Sequence, residues 1–254
     1  MQTLPLLSEE KNNPNDIQRV PVERGSPSLG FYAQYGKRIG DVISSAVGLV
    51  FLFPLFALVA LCIKSNSRGP IFFRQCRVGK NGRLFQIIKF RSMNESASTA
   101  PAGVTVSQDA RVTGVGRILR RYKLDELPQL WNVLLGDMSL VGPRPELPKF
   151  VVMYSDEQRL VLFVRPGITD PASLFYRREE EILSRSTDPE QTYLNQILPD
   201  KLDRSVAYIS KISFLGDTRI IWATITHSFL LGGLLHSRQN PERYHETNSE
   251  FTKK

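Results

Sequence analysis

"KRIGDVISSAVGLVFLFPLFALVALCIKSNSRG", Lys37 to Gly69, decides the fold, because it is long and apolar enough to enter a bilayer. Its 22 residues from Val42 to Ile63 carry no charge, which suffices to cross the hydrocarbon core as one helix. Two features argue against a simple span. Pro54 lies inside the run, removes a backbone donor and invites a break. Lys37 and Arg38 precede the run, and Lys64 and Arg68 follow it. Cationic flanks prefer the cytoplasmic side, so positive charge at both ends favours a kinked helix that dips in and returns. A spanning helix stays open as the alternative, and a buried helix of a soluble core is a third reading.

Upstream, residues 1–30 are polar, with Pro5, Pro14, Pro21 and Pro27 and few periodic apolar positions. They read as a flexible arm. No basic-then-apolar start marks a secretory signal. Downstream, "GPIFFRQCRVGKNGRLFQIIKFRSM" (69–93) holds two aromatic and β-branched runs joined by "GKNG", a β-hairpin pattern. Alternation along its second strand points Lys89 and Arg91 the same way. The Ser/Thr/Ala-rich residues 94–108 read as a flexible loop.

The 254 residues carry a formal charge of +8. That excess calls for an anionic partner, whether nucleic acid, an anionic membrane surface or a phosphorylated substrate. Cys62 and Cys76 have no CxxC or zinc spacing, which fits a reduced, cytosol-facing protein. His227, His236 and His245 are nine residues apart; on one helix that turns each by about 900° and puts neighbours on opposite faces. Chemistry must therefore rest on carboxylates, Lys/Arg and a bound ion.

"RRYKLDELPQLWNVLLGD" (120–137) supplies the carboxylates, Asp125 and Glu126. Leu127, Leu130, Trp131, Leu134 and Leu135 fall at i, i+3, i+4, i+7 and i+8, an apolar stripe typical of a packed helix. Gln129 and Asn132 lie off it. Pro128 suits the first turn and Gly136 the exit, so the two acids sit at or just ahead of the helix start. That end favours anions, but acids also stand there simply as caps. Around them are Arg111, Arg117, Arg120, Arg121 and Lys123, and then Arg144, held between Pro143 and Pro145. Arginines match phosphate oxygens, and a carboxylate pair among them can hold Mg²⁺ or attack phosphorus.

Beyond Pro143, "RPGIT" (165–169) reads as a rigid turn and "RREEEIL" (177–183) as a solvated helix. One or two more helices are expected before Asp217. Residues 220–235 are short for a span, so an interfacial or core-packed helix is expected.

Taken together, "KRIGDVISSAVGL…P", the hairpin, "RVTGVGRILRRYKLDELPQLWNVLLGDMSLVGPRPE" and "RPGIT" resemble the bacterial sugar transferase family. These are monotopic phosphoglycosyl transferases that start assembly of surface polysaccharides and glycoconjugates. The resemblance runs in order from about Lys37 to Thr169. It implies transfer of sugar-1-phosphate from a nucleotide sugar, usually a UDP-sugar, to polyprenyl (undecaprenyl) phosphate, giving the lipid-diphosphate-sugar and UMP. Carried over by position, Asp125 is the nucleophile forming a phosphosugar–aspartyl intermediate, and Glu126 helps to bind Mg²⁺. Lys89, Arg91, Arg111, Arg120 and the Pro143–Arg144–Pro145 motif become the substrate-binding set, contacts to diphosphate or nucleotide. Asp109 and Arg111 persist from the family pattern, although Ala110 stands where proline is common. Pro54 matches a helix-breaking proline, which favours re-entry. Lys37, Arg38 and Asp41 match the helix start, where an orienting ion pair is expected.

The chain departs from the pattern at Phe53, where some relatives have Ser, and at "DPASLFYRREEEIL" after "RPGIT", which bears on sugar specificity. Relatives often carry four spanning helices first; this chain reads as the catalytic part alone. Two other classes compete. A scaffold that has lost activity is opposed by the intact "LDELPQ" and "VGPRP". A nucleic-acid binder would need a basic stripe with aromatic stacking positions, whereas the basic residues cluster at the apolar run and the acid dyad.

The expected architecture is α/β and mostly helical. It comprises a flexible arm (1–30), a re-entrant membrane helix (31–68), a cytosol-facing catalytic domain with a small sheet (69–236) and a polar tail (237–254). Interfacial amphipathic helices would rest on anionic lipids of the inner leaflet, at the cytoplasmic face of a bacterial inner membrane. The oligomeric state stays open, a homodimer being one option.

Overall fold

A computed structural model describes residues 19–20, 30–94 and 109–229. Most of the polar arm, the loop beyond Asn94 and the polar tail lie outside these residues. α1 spans Lys37–Asn66 and is preceded by one π-helical turn, Tyr32–Gly36. A hairpin follows, β1 (Phe72–Val78) and β2 (Leu84–Phe90), and then α2 (Gly114–Arg121) and α3 (Gln129–Leu135). β3 (Ser139–Val141) leads into α4 (Pro148–Val151), and β4 (Gly167–Thr169) into α5 (Pro171–Phe175). Four helices close the described chain: α6 (Glu179–Ser184), α7 (Pro189–Thr192), α8 (Leu198–Ile209) and α9 (Phe214–Phe229).

α1 runs unbroken through Pro54, where the sequence led us to expect a helix break. Asp41, Ser45, Val59 and Ile63 are buried along one side. Between them Gly48 lies against Leu130, and Leu55 and Phe56 pack beside Phe90 and Leu119. These positions recur at helical spacing, so one stripe of α1 rests on the body along most of its length. The opposite side exposes Ile39, Ile43, Val50, Phe51, Phe53, Leu58 and Leu61. Of the described helices, the segment Tyr32–Asn66 alone is long and apolar enough to cross a membrane.

The hairpin forms as the sequence indicates, antiparallel from Phe72 opposite Phe90 to Val78 opposite Leu84. Asn81 and Gly82 take positive φ in its turn, which both residues tolerate. Arg19 and Val20, from the expected flexible arm, pair against this turn, with Val20 N–H donating to Gly82 O at 2.9 Å.

A second sheet was not legible. "RPGIT" is more than a rigid turn, because Gly167–Thr169 forms β4, parallel to β3. The "RREEEIL" helix is not solvated either: Leu183 is fully buried and Glu179 to Ile182 are half-buried. The largest core lies between the hairpin tip and the C-terminal helices, where Val78, Val141, Phe150, Leu183, Tyr193 and Leu202 meet.

The α3 stripe needs correcting as well. Trp131 and Leu135 face outward, at 50% and 63% exposure, whereas Gln129 and Asn132 are buried with Leu130 and Val133. Asn132 explains the inversion. Its Oδ1 accepts from Ile88 N–H at 3.0 Å and its Nδ2 donates to Gln86 O at 2.8 Å. The carboxamide thus pairs with the outer edge of β2 as a strand would, satisfying groups whose orphaning is costly.

Candidate active site

The acid dyad occupies one 3₁₀ turn, Leu124–Glu126, just ahead of α3. Both side chains are buried at 8% exposure. Glu126 is paired through one oxygen: its Oε1 accepts from Lys89 Nζ at 2.7 Å and from Arg144 Nη2 at 2.9 Å. Burial works to raise its carboxyl, but Arg144 and Lys89 outweigh that and hold it well below the ordinary value. Glu126 in turn raises the Arg144 guanidinium, while burial lowers the Lys89 ammonium.

Asp125 is placed differently. Its Oδ1 is buried and has no hydrogen-bond partner. Burial, and then the charge of Glu126, push its carboxyl upward, with Lys89, Lys123 and Arg120 opposing. Two adjacent acids thus take opposite characters: Glu126 is fixed and ionised, and Asp125 is under-satisfied.

Arg144 reaches the dyad because its loop is pinned on both sides. Gly142 N–H donates to Thr169 O at 3.0 Å and Gly167 N–H to Pro143 O at 2.9 Å. On the far side Arg77 Nη1 donates to Pro145 O at 3.1 Å, and Val78 N–H to Glu146 O at 3.0 Å. The Glu146 carboxylate is buried, bonded by Tyr193 OH at 2.6 Å and facing Arg77 at 3.5 Å. Arg77, Glu146 and Tyr193 were missed from sequence; charged residues at the hairpin end and after "PRP" were the available signal.

The remaining expected site residues divide. Arg120, whose charge reaches Asp125, is ion-paired to Glu180 of α6. Arg111 is bonded to its own neighbour Asp109, Nε to Oδ1 at 2.9 Å. Arg91 does not join Lys89 at the dyad: its Nη1 donates to Arg68 O at 2.6 Å and its Nη2 to Ser67 O at 2.9 Å. It caps the carbonyl end of α1. The alternation that aligned it with Lys89 fails because β2 ends at Phe90.

Lys37, Arg38 and Asp41 form no ion pair with one another. Lys37 binds Asp217 of α9, which also accepts from Tyr208 OH at 2.7 Å. Arg38 caps α3, donating to Val133 O at 2.6 Å and Leu134 O at 3.0 Å. Asp41 Oδ1 accepts from Leu140 N–H at 3.0 Å. Together they fasten the start of α1 to three separate elements. Asp217, a lone acid in the apolar "SFLGDTRII", was the missed partner.

Cys62 and Cys76 are free thiols. Among the described residues no group of three or more His, Cys, Asp or Glu converges.

The profile of the bacterial sugar transferase family matches residues 32–230. Undecaprenyl-phosphate glucose phosphotransferase of Komagataeibacter xylinus is 48% identical over 226 residues, covering 83% of this chain and 40% of that protein. UDP-N-acetylgalactosamine-undecaprenyl-phosphate N-acetylgalactosaminephosphotransferase of Aeromonas hydrophila is 36% identical over 192 residues, covering 74% and 42%. UDP-glucose:undecaprenyl-phosphate glucose-1-phosphate transferase of Caulobacter vibrioides is 36% identical over 226 residues, covering 86% and 80%. The chain thus spans less than half the length of the first two relatives and most of the third.

Proposed function

The chain belongs to the bacterial sugar transferase family, and from that premise we propose that it transfers sugar-1-phosphate from a UDP-sugar to polyprenyl phosphate, the first step of polysaccharide or glycoconjugate assembly. One observation carries this reading: a buried Asp125 with an unpartnered oxygen beside a Glu126 neutralised by Lys89 and Arg144.

In the first step an Asp125 oxygen attacks the sugar-bearing phosphorus of the UDP-sugar. The bond to the bridging oxygen breaks, and UMP leaves with the electron pair. In the second step an oxygen of polyprenyl phosphate attacks the same phosphorus. The acyl-phosphate bond breaks, which regenerates the Asp125 carboxylate and gives polyprenyl-diphosphate-sugar. Attack by an anion on an anionic diphosphate needs neutralisation, and Lys89 and Arg144 are already spent on Glu126. Asp125, through its unpartnered oxygen, and Glu126 would be the residues to hold Mg²⁺ there, both supplying the hard oxygen donors it takes. When bound there, the ion would supply charge neutralisation at the transferring phosphoryl group.

The membrane side follows from α1. Both ends of its exposed apolar surface are tied to one body, Lys37 to α9 and Ser67 to Arg91. A spanning helix of this length would carry its ends about 45 Å apart, across the bilayer. Being unbroken and resting on a single body, α1 would lie along one leaflet instead of turning back at Pro54, and the leaflet would be the cytoplasmic one of a bacterial inner membrane. Exposed Trp131 and Leu135 on α3 and Phe214, Leu215 and Trp222 on α9 extend the apolar surface and would lie at the headgroup level. There the lipid phosphate meets the dyad.

The test uses the full chain in nanodiscs with undecaprenyl phosphate, Mg²⁺ and single UDP-sugars, reading UMP. UMP release with at least one sugar, its loss in Asp125→Asn, and a phosphosugar adduct on the Asp125 peptide are expected. No release across a broad sugar panel overturns the activity; wild-type release by Asp125→Asn overturns the nucleophile.

A further inference from the structure

The charges around the dyad can be counted by partner. Lys89 and Arg144 are committed to Glu126, Arg111 to Asp109 and Arg91 to the end of α1. Arg120 is paired to Glu180 and must leave that partner to meet a phosphate. That leaves Lys123. Its side chain is exposed and forms no hydrogen bond or ion pair among the described residues. Its positive charge nevertheless acts on both Asp125 and Glu126.

The backbone at Lys123 is unusual too. Two non-glycine residues among those described have positive φ: Asn81, in the hairpin turn, and Lys123, at φ 56°. Asn is at home in the left-handed region. Lys123 follows the last turn of α2, where glycine is the usual choice and would avoid the strain. Its carbonyl accepts from Glu126 N–H at 3.2 Å, so this strained residue opens the turn that carries the dyad. A cation suits the C-terminal end of α2, but the left-handed position itself favours glycine, and no ion pair among the described residues holds the lysine. Strain of this kind is retained where surrounding structure or function demands the residue.

We propose that Lys123 is a substrate-binding residue, its ammonium reserved for the diphosphate of the nucleotide sugar. The inference rests on the function proposed above and adds a contact to it. The diphosphate brings negative charge to a site whose two acids are balanced by two committed cations. An exposed ammonium two residues ahead of Asp125, with no partner among the described residues, is available to receive it.

The experiment measures binding of UDP to the full chain in nanodiscs by titration calorimetry, over a range of salt concentrations, alongside UMP release from a UDP-sugar. Lys123→Gly suits the positive φ, so its Tm should match or exceed that of the wild type. Its dissociation constant for UDP should rise about tenfold, the loss expected for one hydrogen bond between charged groups, with a shallower salt dependence. Lys123→Arg should restore most of the affinity, and Lys123→Asn, which also tolerates left-handed backbone, should repeat the glycine result. UDP binding by Lys123→Gly equal to wild type in affinity and salt dependence overturns the proposal. If the wild type binds UDP through Lys123 but releases no UMP from any UDP-sugar, the proposed function fails and the binding role stands.

Discussion

Gly142 and Gly167 meet backbone to backbone: a Cβ added to Gly167 would lie 2.1 Å from Gly142 N, and one added to Gly142 would lie 2.4 Å from Arg165 O. This contact joins β3 to β4 and sets the base of the loop that carries Arg144. Neither backbone can yield without breaking the bonds between Gly142 and Thr169 or Gly167 and Pro143. Gly167→Ala should therefore cost about 2 kcal/mol, as overpacking does, and should also reduce turnover by displacing Arg144. Denaturant midpoints and UMP release check both effects; an alanine variant of unchanged stability would contradict the contact.

On the other flank, Arg77 and Tyr193 hold Glu146 and the Pro145 carbonyl. Tyr193→Phe deletes one hydrogen bond to a buried carboxylate and should cost about 1–3 kcal/mol. Arg77→Met leaves Glu146 without its cation, so about 3–5 kcal/mol is expected. Pairing Arg77→Met with Glu146→Gln should recover part of that loss, because the uncompensated charge is gone. A double variant as unstable as the sum of the singles would show that the two side chains do not interact.

Asp125 should carry its reactivity at the expense of stability. Burial and Glu126 raise its folded-state carboxyl above the unfolded value. The native state then binds the extra proton, so its stability falls as pH rises from the unfolded value, about 3.9, through the raised folded one. Asp125→Asn removes this loss. In chelator, the variant should be more stable than wild type by on the order of 1 kcal/mol at pH 7, and the difference should shrink toward pH 3. Glu126 has the opposite sign. Its lowered carboxyl contributes stability above the unfolded value of about 4.3, and that contribution is lost as pH falls through the folded one. Urea titrations at several pH values, with UMP assays at pH 7, separate the two acids.

The Arg120–Glu180 pair joins the dyad region to α6, part of the segment where the chain departs from the family pattern. The Glu180 side chain is 47% exposed, so the pair should contribute no more than about 1 kcal/mol. A carboxylate held so loosely can be exchanged for a substrate phosphate. Glu180→Gln should leave Tm within a degree or two and lower KM for the nucleotide sugar by about threefold, a gain of under 1 kcal/mol. An unchanged or raised KM would mean that Glu180 does not compete for Arg120.

What the sequence made legible was local. The apolar run, the hairpin turn at Asn81–Gly82, Gly136 at the exit of α3 with φ 96° and the acid pair ahead of that helix all depend on neighbours within a few residues. What escaped depends on distant partners. Lys37 finds Asp217 at a separation of 180 residues, and Arg120 finds Glu180 at 60. β3 and β4, three residues each, are too short to show alternation. The apolar stripe on α3 was read inward because hydrophobic period alone cannot tell a protein core from a lipid surface. Asn132, bonded to β2, points the helix the other way.

The placement of α1 can be decided by labelling its two ends. Gly40 lies near the start of α1, and a Cβ there meets nothing within 4 Å, so a cysteine fits. Ser65 lies near the end; among the described residues its hydroxyl bonds Leu61 O of the same helix, at 2.9 Å, and the residue is exposed. In a chain carrying Cys62→Ser and Cys76→Ser, Gly40→Cys and Ser65→Cys are tested singly with a membrane-impermeant maleimide. Because both ends of α1 pack on one body, both cysteines should react in inside-out vesicles and neither in sealed right-side-out cells. A spanning helix would label from opposite sides. That outcome would detach one end of α1 from the body and would require the contacts of either Arg38 or Arg91 to be broken.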